Sequence, residues 1–348
     1  MPKPAQYTLF PEAPSPPTLR DVADAIREAG IDGLPAAERL ADHTRYQEVH
    51  VRSALARCVG MPFKWALNPY RGCTHACEYC YARKYQRHLE LDAGDAFSSL
   101  IFVKTNLPLA LRRELTRPGW ARESIAIGTA TDPYQPIEGH YRLTRRALEL
   151  CIETRTPATI VTKGPMVVRD TDLLVELGRR ASIRVYVSVP SVDDDAWARL
   201  EPGTAPPAQR LRAVRRLTDA GVDAGVLMMP LVPGITTSRA IVERTIAAIA
   251  DAGATFVGTC VARLDRGVRE HFFTFLAREY PALVEGYERL YAGHQARPDY
   301  VAQVQGMVKM LAERAGVRRS GGSHSVEELR QRQIDPREDI DAHANENG

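Results

Sequence analysis

The stretch "NPYRGCTHACEYCYAR" (68–83) places Cys73, Cys77 and Cys80 within eight residues, half of the chain's six cysteines, in the spacing C-x3-C-x2-C. Thiolates bind soft or borderline metals, zinc and iron–sulfur clusters among them. A structural zinc site is closed and wants four ligands, usually from two paired elements. No second pair is present. Cys58 lies fifteen residues before Cys73, and Cys151 and Cys260 stand alone in apolar segments, where cysteine serves as a small buried hydrophobe. His75 sits two residues from both Cys73 and Cys77, which is tight for a fourth ligand. Three thiolates without a fourth suit a four-iron cluster with one iron left open for a substrate or cofactor. Tyr79 and Tyr81 can shield such a cluster, whose potential depends on solvent exposure and on hydrogen bonds to sulfur.

Other chemistry-bearing residues stand at the ends of apolar runs: Lys163 after "ATIV" and Asp132 after "IGTAT". The elements that must position them follow a regular alternation. "FKWALNPY" leads into the cysteine loop and a helix near 78–90. "SIAIGTA" precedes a helix at 142–154, "PATIVTK" one at 171–180, and "IRVYVSV" one at 208–220. "DAGVLMMP" precedes a helix at 238–252 and "ATFVGTCVA" one at 266–279. Six strand-then-helix units imply parallel strands with helical crossovers. A doubly wound sheet needs a Gly-rich phosphate turn after the first strand, and the cysteine loop stands there instead. The expected fold is therefore α/β, a partial (β/α)6 TIM-like barrel over 61–265. In such a barrel function gathers at the C-terminal ends of the strands. Helices at 281–292 and 298–315, within a segment 266–318, are expected to pack on or beside it. "LIFVKT" (100–105) is a further strand without a place in this scheme, followed by a helix at 106–117. Residues 1–60 form an N-terminal extension, partly helical, whose first 18 or so residues read as disordered, as does most of the polar tail 319–348.

Composition bounds the function. A net charge of +3 gives no global signal for nucleic acid. "LRRELTRPGWARE", "RLRAVRRLTDAG" and "RKYQRH" (83–88) read as solvated helix faces. The Pro-rich N-terminus lacks the apolar stretch of a signal peptide, and no run approaches the ~18 apolar residues of a membrane helix. The expected location is the cytoplasm, where thiols stay reduced, so clustered cysteines point to metal or redox chemistry rather than disulfides.

A C-x3-C-x2-C loop with an aromatic residue before the third cysteine, after the first strand of a partial barrel, resembles the radical S-adenosylmethionine (SAM) superfamily over roughly 61–265. "CEYCYAR", "TATDPYQP", "IVTKG", "YVSV" and "RLEPGTAPPAQRLRAVRRLTDAGVDAGVLMMPLVPG" resemble its spore photoproduct lyase-like branch, above all bacterial proteins of unassigned substrate that share NPYRGC.H.C.YCYAR and TDPYQP. The resemblance implies one [4Fe–4S] cluster on Cys73, Cys77 and Cys80. SAM would chelate the open iron, and an electron from a donor such as flavodoxin or ferredoxin would cleave it to a 5′-deoxyadenosyl radical that abstracts hydrogen from the substrate. It further implies that Tyr79 packs beside cluster and adenine, that Lys163 meets the SAM carboxylate, and that Ser188 contacts SAM. Thr131 and Asp132 would hold the methionyl amine, although Asp132 before a proline also suits a turn cap. The branch relationship favours a nucleic acid substrate. The lyase's hydrogen-donor cysteine is replaced by Thr129, so dimer repair by the same route is not expected. Tyr81 matches a tyrosine that the lyase is thought to use in radical relay. No catalytic residue is assigned. Three remaining, scattered cysteines do not suit a second cluster. The rival readings are an iron–sulfur sensing or assembly protein without SAM cleavage, and a zinc- or nucleic-acid-binding module.

Overall fold

In a computed structural model, which describes residues 16–29, 38–41, 44–89, 94, 96–265 and 267–318, the six expected strands lie side by side in chain order. They are β1 (Trp65–Leu67), β2 (Ile125–Ile127), β3 (Ala158–Thr162), β4 (Ile183–Ser188), β5 (Ala224–Leu231) and β6 (Val257–Val261). Every neighbouring pair among them is parallel. A seventh strand, Leu55–Arg57, joins antiparallel to β1 and forms one edge of the sheet, with β6 at the other. The barrel is thus partial. Strand alternation explains how it packs. Ile125, Ile127, Ile160, Val185, Val187, Val226 and Met228 are completely buried in the main core, whereas Thr159, Val161, Arg184 and Tyr186 on intervening positions are only half-buried.

Helices Leu143–Thr154, Thr171–Arg180, Pro207–Asp219, Arg239–Asp251 and Val268–Glu279 follow β2 to β6 as the periodicity predicts. The unit after β1 differs. The helix expected near 78–90 is a 3-10 helix, Tyr81–Leu89. The cysteine loop already runs on tight i→i+3 bonds, from Ala76 to Cys73, Cys80 to Cys77 and Arg83 to Cys80, and the next turns continue that winding.

"LIFVKT" finds its place in a second sheet of four strands. Leu100–Lys104 runs parallel to Thr44–Val49 and antiparallel to Tyr70–Arg71, while Glu38–Ala41 pairs with Thr44–Val49. Helix Leu19–Ala29 covers one face, its Leu19, Val22 and Ile26 packing with Val49, Leu100 and Phe102. Tyr46, Tyr70, Ile101 and Val103 pack with Ile137 and Leu143 in a separate cluster. This sheet ends, through Tyr70–Arg71, directly at the cysteine loop. Helix Leu107–Leu115 follows Leu100–Lys104, as expected.

Helices Val284–Leu290 and Pro298–Arg314 follow the barrel, the first preceded by a 3-10 turn at Pro281–Leu283. Tyr287, Tyr291, Val304, Val308 and Leu311 share one core with the strands. Among the described residues no helix is long and apolar enough to cross a membrane. Of the disorder expected for the first 18 or so residues and most of 319–348, residues 1–15 and 319–348 fall outside the described residues, while Pro17 and Thr18 pair with His50.

Candidate active site

Three sides hold the cysteine loop. The second sheet supports the first, where the Cys73 amide donates to the Phe97 carbonyl at 2.9 Å. Gly72, at φ +82°, passes so close to Leu100 that a side chain has no room. Arg83 supports the second. It is 2% exposed, and its guanidinium donates to the carbonyls of Cys77 (3.0 Å), Ala76 (3.0 Å) and Gly94 (2.9 Å). Read from the sequence as part of a solvated face, Arg83 is instead an internal brace, and Lys84 beside it pairs with Asp265 at 3.2 Å. The third support is the segment 200–204. Glu78 donates its amide to the Leu200 carbonyl (3.0 Å), and Gly203 donates to His75 (3.1 Å). The Glu78 carboxylate also meets His271 Nε2 at 2.6 Å, which ties the loop to helix Val268–Glu279.

Cys73 and Cys77 are buried, Cys80 is half-buried, and all three are free thiols. Burial pushes the Cys77 thiol well above its usual range, against the pull of Lys163, and pushes Cys80 up as well. Such thiols give up their protons to a metal rather than to water. The hydroxyl of Thr74, in the same loop, is buried without a partner.

The strand exits close around this loop. Thr131 donates to the Gly72 carbonyl (2.6 Å) and accepts from Gln135 Nε2 (3.0 Å), whose Oε1 accepts from the Thr74 amide (3.2 Å). Asp132 accepts from the Tyr134 amide (2.8 Å), the Thr162 hydroxyl (2.7 Å) and the Lys163 amide (2.6 Å), and its Oδ2 lies 3.2 Å from His75 Nδ1. Burial disfavours its charge, but His75 and these donors outweigh that and hold its pKa down at about 2. Burial likewise opposes a proton on His75, yet Asp132 and Cys73 push its pKa up to about 10. Thr131 and Asp132, expected at the methionyl amine, both bond to protein groups here. Both side chains tie the cysteine loop to the exits of β2 and β3, and Asp132 caps its turn. His75, the one candidate for a fourth ligand inside the loop, faces Asp132.

Lys163, Ser188 and Tyr79, expected separately at the SAM site, come together. Lys163 Nζ donates to Ser188 Oγ at 3.0 Å and lies 5.7 Å from the centre of the Tyr79 ring. Two residues missed in the sequence join them. Glu201 accepts from the Tyr79 hydroxyl, lies 3.7 Å from Lys163 Nζ, and pairs with Arg210 Nη2 at 2.6 Å. Arg210 heads the segment "RLRAVRRLTDAG", read as a solvated face, yet its side chain is completely buried and also donates to the carbonyls of Ala205 and Ser188. No sequence signal marks this pair, since a separation of nine residues across a turn fixes no contact and the acceptors of Arg210 come together only in the fold. Cys260, expected to be buried, is only half-buried, with Sγ 3.2 Å from the Val261 carbonyl.

No three His, Cys, Asp or Glu side chains among the described residues meet closely enough for a single ion. A four-iron cuboid takes its thiolates at separate corner irons, on a wider triangle. Three soft donors on one buried loop, beside an unpartnered hydroxyl and a buried ammonium, fit such a group. The family model of the radical SAM superfamily matches residues 67–255. The chain belongs to that superfamily. An uncharacterized protein of Mycobacterium tuberculosis is 37% identical over 263 residues, 74% of this chain and 77% of its own length. A Pseudomonas phage M6 protein named radical SAM Nalpha-GlyT isomerase is 28% identical over 172 residues, 49% of this chain and 33% of its own. Among solved structures, a spore photoproduct lyase variant superposes with a TM-score of 0.62 at 16% identity, covering 87% of this chain and 94% of the lyase. A second, carrying AdoMet and a dinucleoside spore photoproduct, gives 0.61 at 14% identity, covering 84% and 90%. At such identity the likeness is one of fold. Membership makes this radical SAM protein an enzyme of SAM-dependent radical chemistry, a chemistry that uses an iron–sulfur cluster, SAM and a reductant.

Proposed function

We propose that Cys73, Cys77 and Cys80 bind one [4Fe–4S] cluster and that the enzyme cleaves SAM reductively, generating a 5′-deoxyadenosyl radical for hydrogen abstraction. The carrying observation is spatial. Three free thiols, two of them buried and one half-buried, share the strand ends with the Lys163 ammonium, the Ser188 hydroxyl and the Tyr79 ring. The cluster, when bound, supplies the electron. The protein's part is to hold and shield. Lys163 offers a charge-assisted contact for the SAM carboxylate, Tyr79 offers an aromatic face, and Arg83, Asp132 and Gln135 keep the loop from shifting. Electrons would come from a flavodoxin- or ferredoxin-type donor in a reducing, cytoplasmic compartment.

For the substrate, the lyase-like fold and the nucleoside ligand of one neighbour support a nucleic acid. The chemistry on it should differ from dimer repair. Thr129 stands where the lyase-like pattern has a thiol, its hydroxyl accepting from Asn68 Nδ2 at 3.4 Å and its carbonyl from the Tyr81 hydroxyl. The test is anaerobic reconstitution followed by dithionite and SAM. Iron and sulfide should load, and 5′-deoxyadenosine should form. Cys77→Ala should lose both. A colourless zinc-loaded protein would point to a binding module, and a loaded cluster without 5′-deoxyadenosine to a sensor or assembly role. Deuterium transfer from DNA, RNA or protein pools into the nucleoside would identify the substrate class.

A further inference from the structure

Glu201 and Arg210 belong to neither the metal-binding loop nor the strand ends, yet they organise both. Glu201 uses both oxygens. Oε1 takes the Tyr79 hydroxyl and faces Lys163, and Oε2 takes Arg210. Arg210 in turn donates to the Ser188 carbonyl (2.9 Å), the Thr204 hydroxyl (2.7 Å) and the Ala205 carbonyl (2.7 Å). One carboxylate therefore sits between two cations, with Arg210 on one side and Lys163 on the other. A guanidinium locked by four acceptors cannot move. Lys163, on a flexible stem, can move, and among the described residues Glu201, Ser188 and the face of the Tyr79 ring define its position.

We propose that Glu201, fixed by Arg210, is a positioning residue of the SAM subsite: it holds the Lys163 ammonium and the Tyr79 phenol in the place where the methionyl carboxylate and the adenine meet them. This rests on the function proposed above. With its charge removed, Arg210 becomes a buried cation without a counter-ion and drives Lys163 away from Ser188. Affinity for SAM then falls although no group touching SAM has changed.

The test is equilibrium dialysis of SAM against the full chain, anaerobically reconstituted. Glu201→Gln should keep the parent's iron and sulfide and raise the Kd about tenfold. In a Lys163→Met background the same substitution should change the Kd by less than about twofold, because its effect runs through Lys163. Glu201→Asp, which keeps the charge one methylene short, guards against a variant that fails to fold. It should retain iron and lose affinity by an intermediate factor. The proposal is overturned by unchanged or tighter SAM binding in Glu201→Gln, by an equal effect in both backgrounds, by parent-like affinity in Glu201→Asp, or by loss of iron, which would make Glu201 a support of the cysteine loop alone. A parent that loads iron but binds no SAM takes down the reading of function itself, and that result is seen before any variant is compared.

Discussion

At Gly203 a side-chain carbon would overlap the carbonyl oxygen of Thr74, one residue from Cys73. Glycine is required here by close approach, since the segment 200–204 lies flush against the cysteine loop. Gly203→Ala should cost about 1–3 kcal/mol, the usual penalty of overpacking, and should lower iron uptake because the displaced neighbour is the loop itself. Gly306→Ala is the control. Nothing lies near its added carbon, so it should hold or raise the melting temperature and leave iron unchanged. Residues at this scale were unequally legible. A cysteine triplet announces itself by type and spacing, and Lys163 by its place after an apolar run, whereas Ser188 came only with the family resemblance. Arg83 and Arg210 were not, because an arginine in a helical pattern reads as solvated unless its carbonyl acceptors are known, and those arrive only with the fold. Asp132 was legible as important and as a turn cap, but its other partners, His75, Thr162 and Lys163, lie 30 or more residues away in sequence and are not visible from spacing.

Among the elements, the segment Thr131–Tyr141 does more to join parts than to face a substrate. Glu138, completely buried, accepts from the Tyr70 hydroxyl in the second sheet and pairs with Arg169 at 2.9 Å after β3. Asp170, equally buried, pairs with Arg169 and with Arg145, both at 2.8 Å, and accepts from the Tyr134 hydroxyl at 3.2 Å. Two carboxylates and two guanidinium groups thus lock the second sheet to the exits of β2 and β3. Without the Asp170 charge Arg169 keeps Glu138 and Arg145 keeps Asp172, so Asp170→Asn should cost about 1–3 kcal/mol, the scale of buried hydrogen-bonding groups that lose a partner. Urea unfolding measures this, and a loss under about 1 kcal/mol, the usual scale of an exposed pair, would show that the network is not the lock argued here. The six strand–helix units were legible because each has an apolar run followed by an amphipathic period. The second sheet was not. Thr44–Val49 is half polar and Tyr70–Arg71 only two residues long, so neither carries a strand's pattern without its partner Leu100–Lys104.

Across the whole molecule, the C-terminal helices share one core with the strands and bond to the cysteine loop. His271 holds Glu78 between Cys77 and Cys80, and Arg199 reaches Glu279 at 3.1 Å. The apolar contacts run deeper. Phe272, Phe275, Tyr287, Tyr291, Val304 and Val308 lie in the same core as the strands, and the Val257 amide, which opens β6, donates to the Arg318 carbonyl at 2.9 Å. A chain cut after residue 265 would bare that side of the core, at about 1.5–3 kcal/mol for each large apolar side chain left uncovered. A handful of such exposures is comparable with the about 5–15 kcal/mol that holds a typical domain together. Such a fragment, though it keeps every thiol and every residue around Lys163, should lack near-ultraviolet circular dichroism, bind hydrophobic dyes and take up no stoichiometric cluster. If it instead melted in one sharp transition with its iron in place, the barrel would be an independent domain, and the tie from His271 to Glu78 would be a surface contact without consequence for the site.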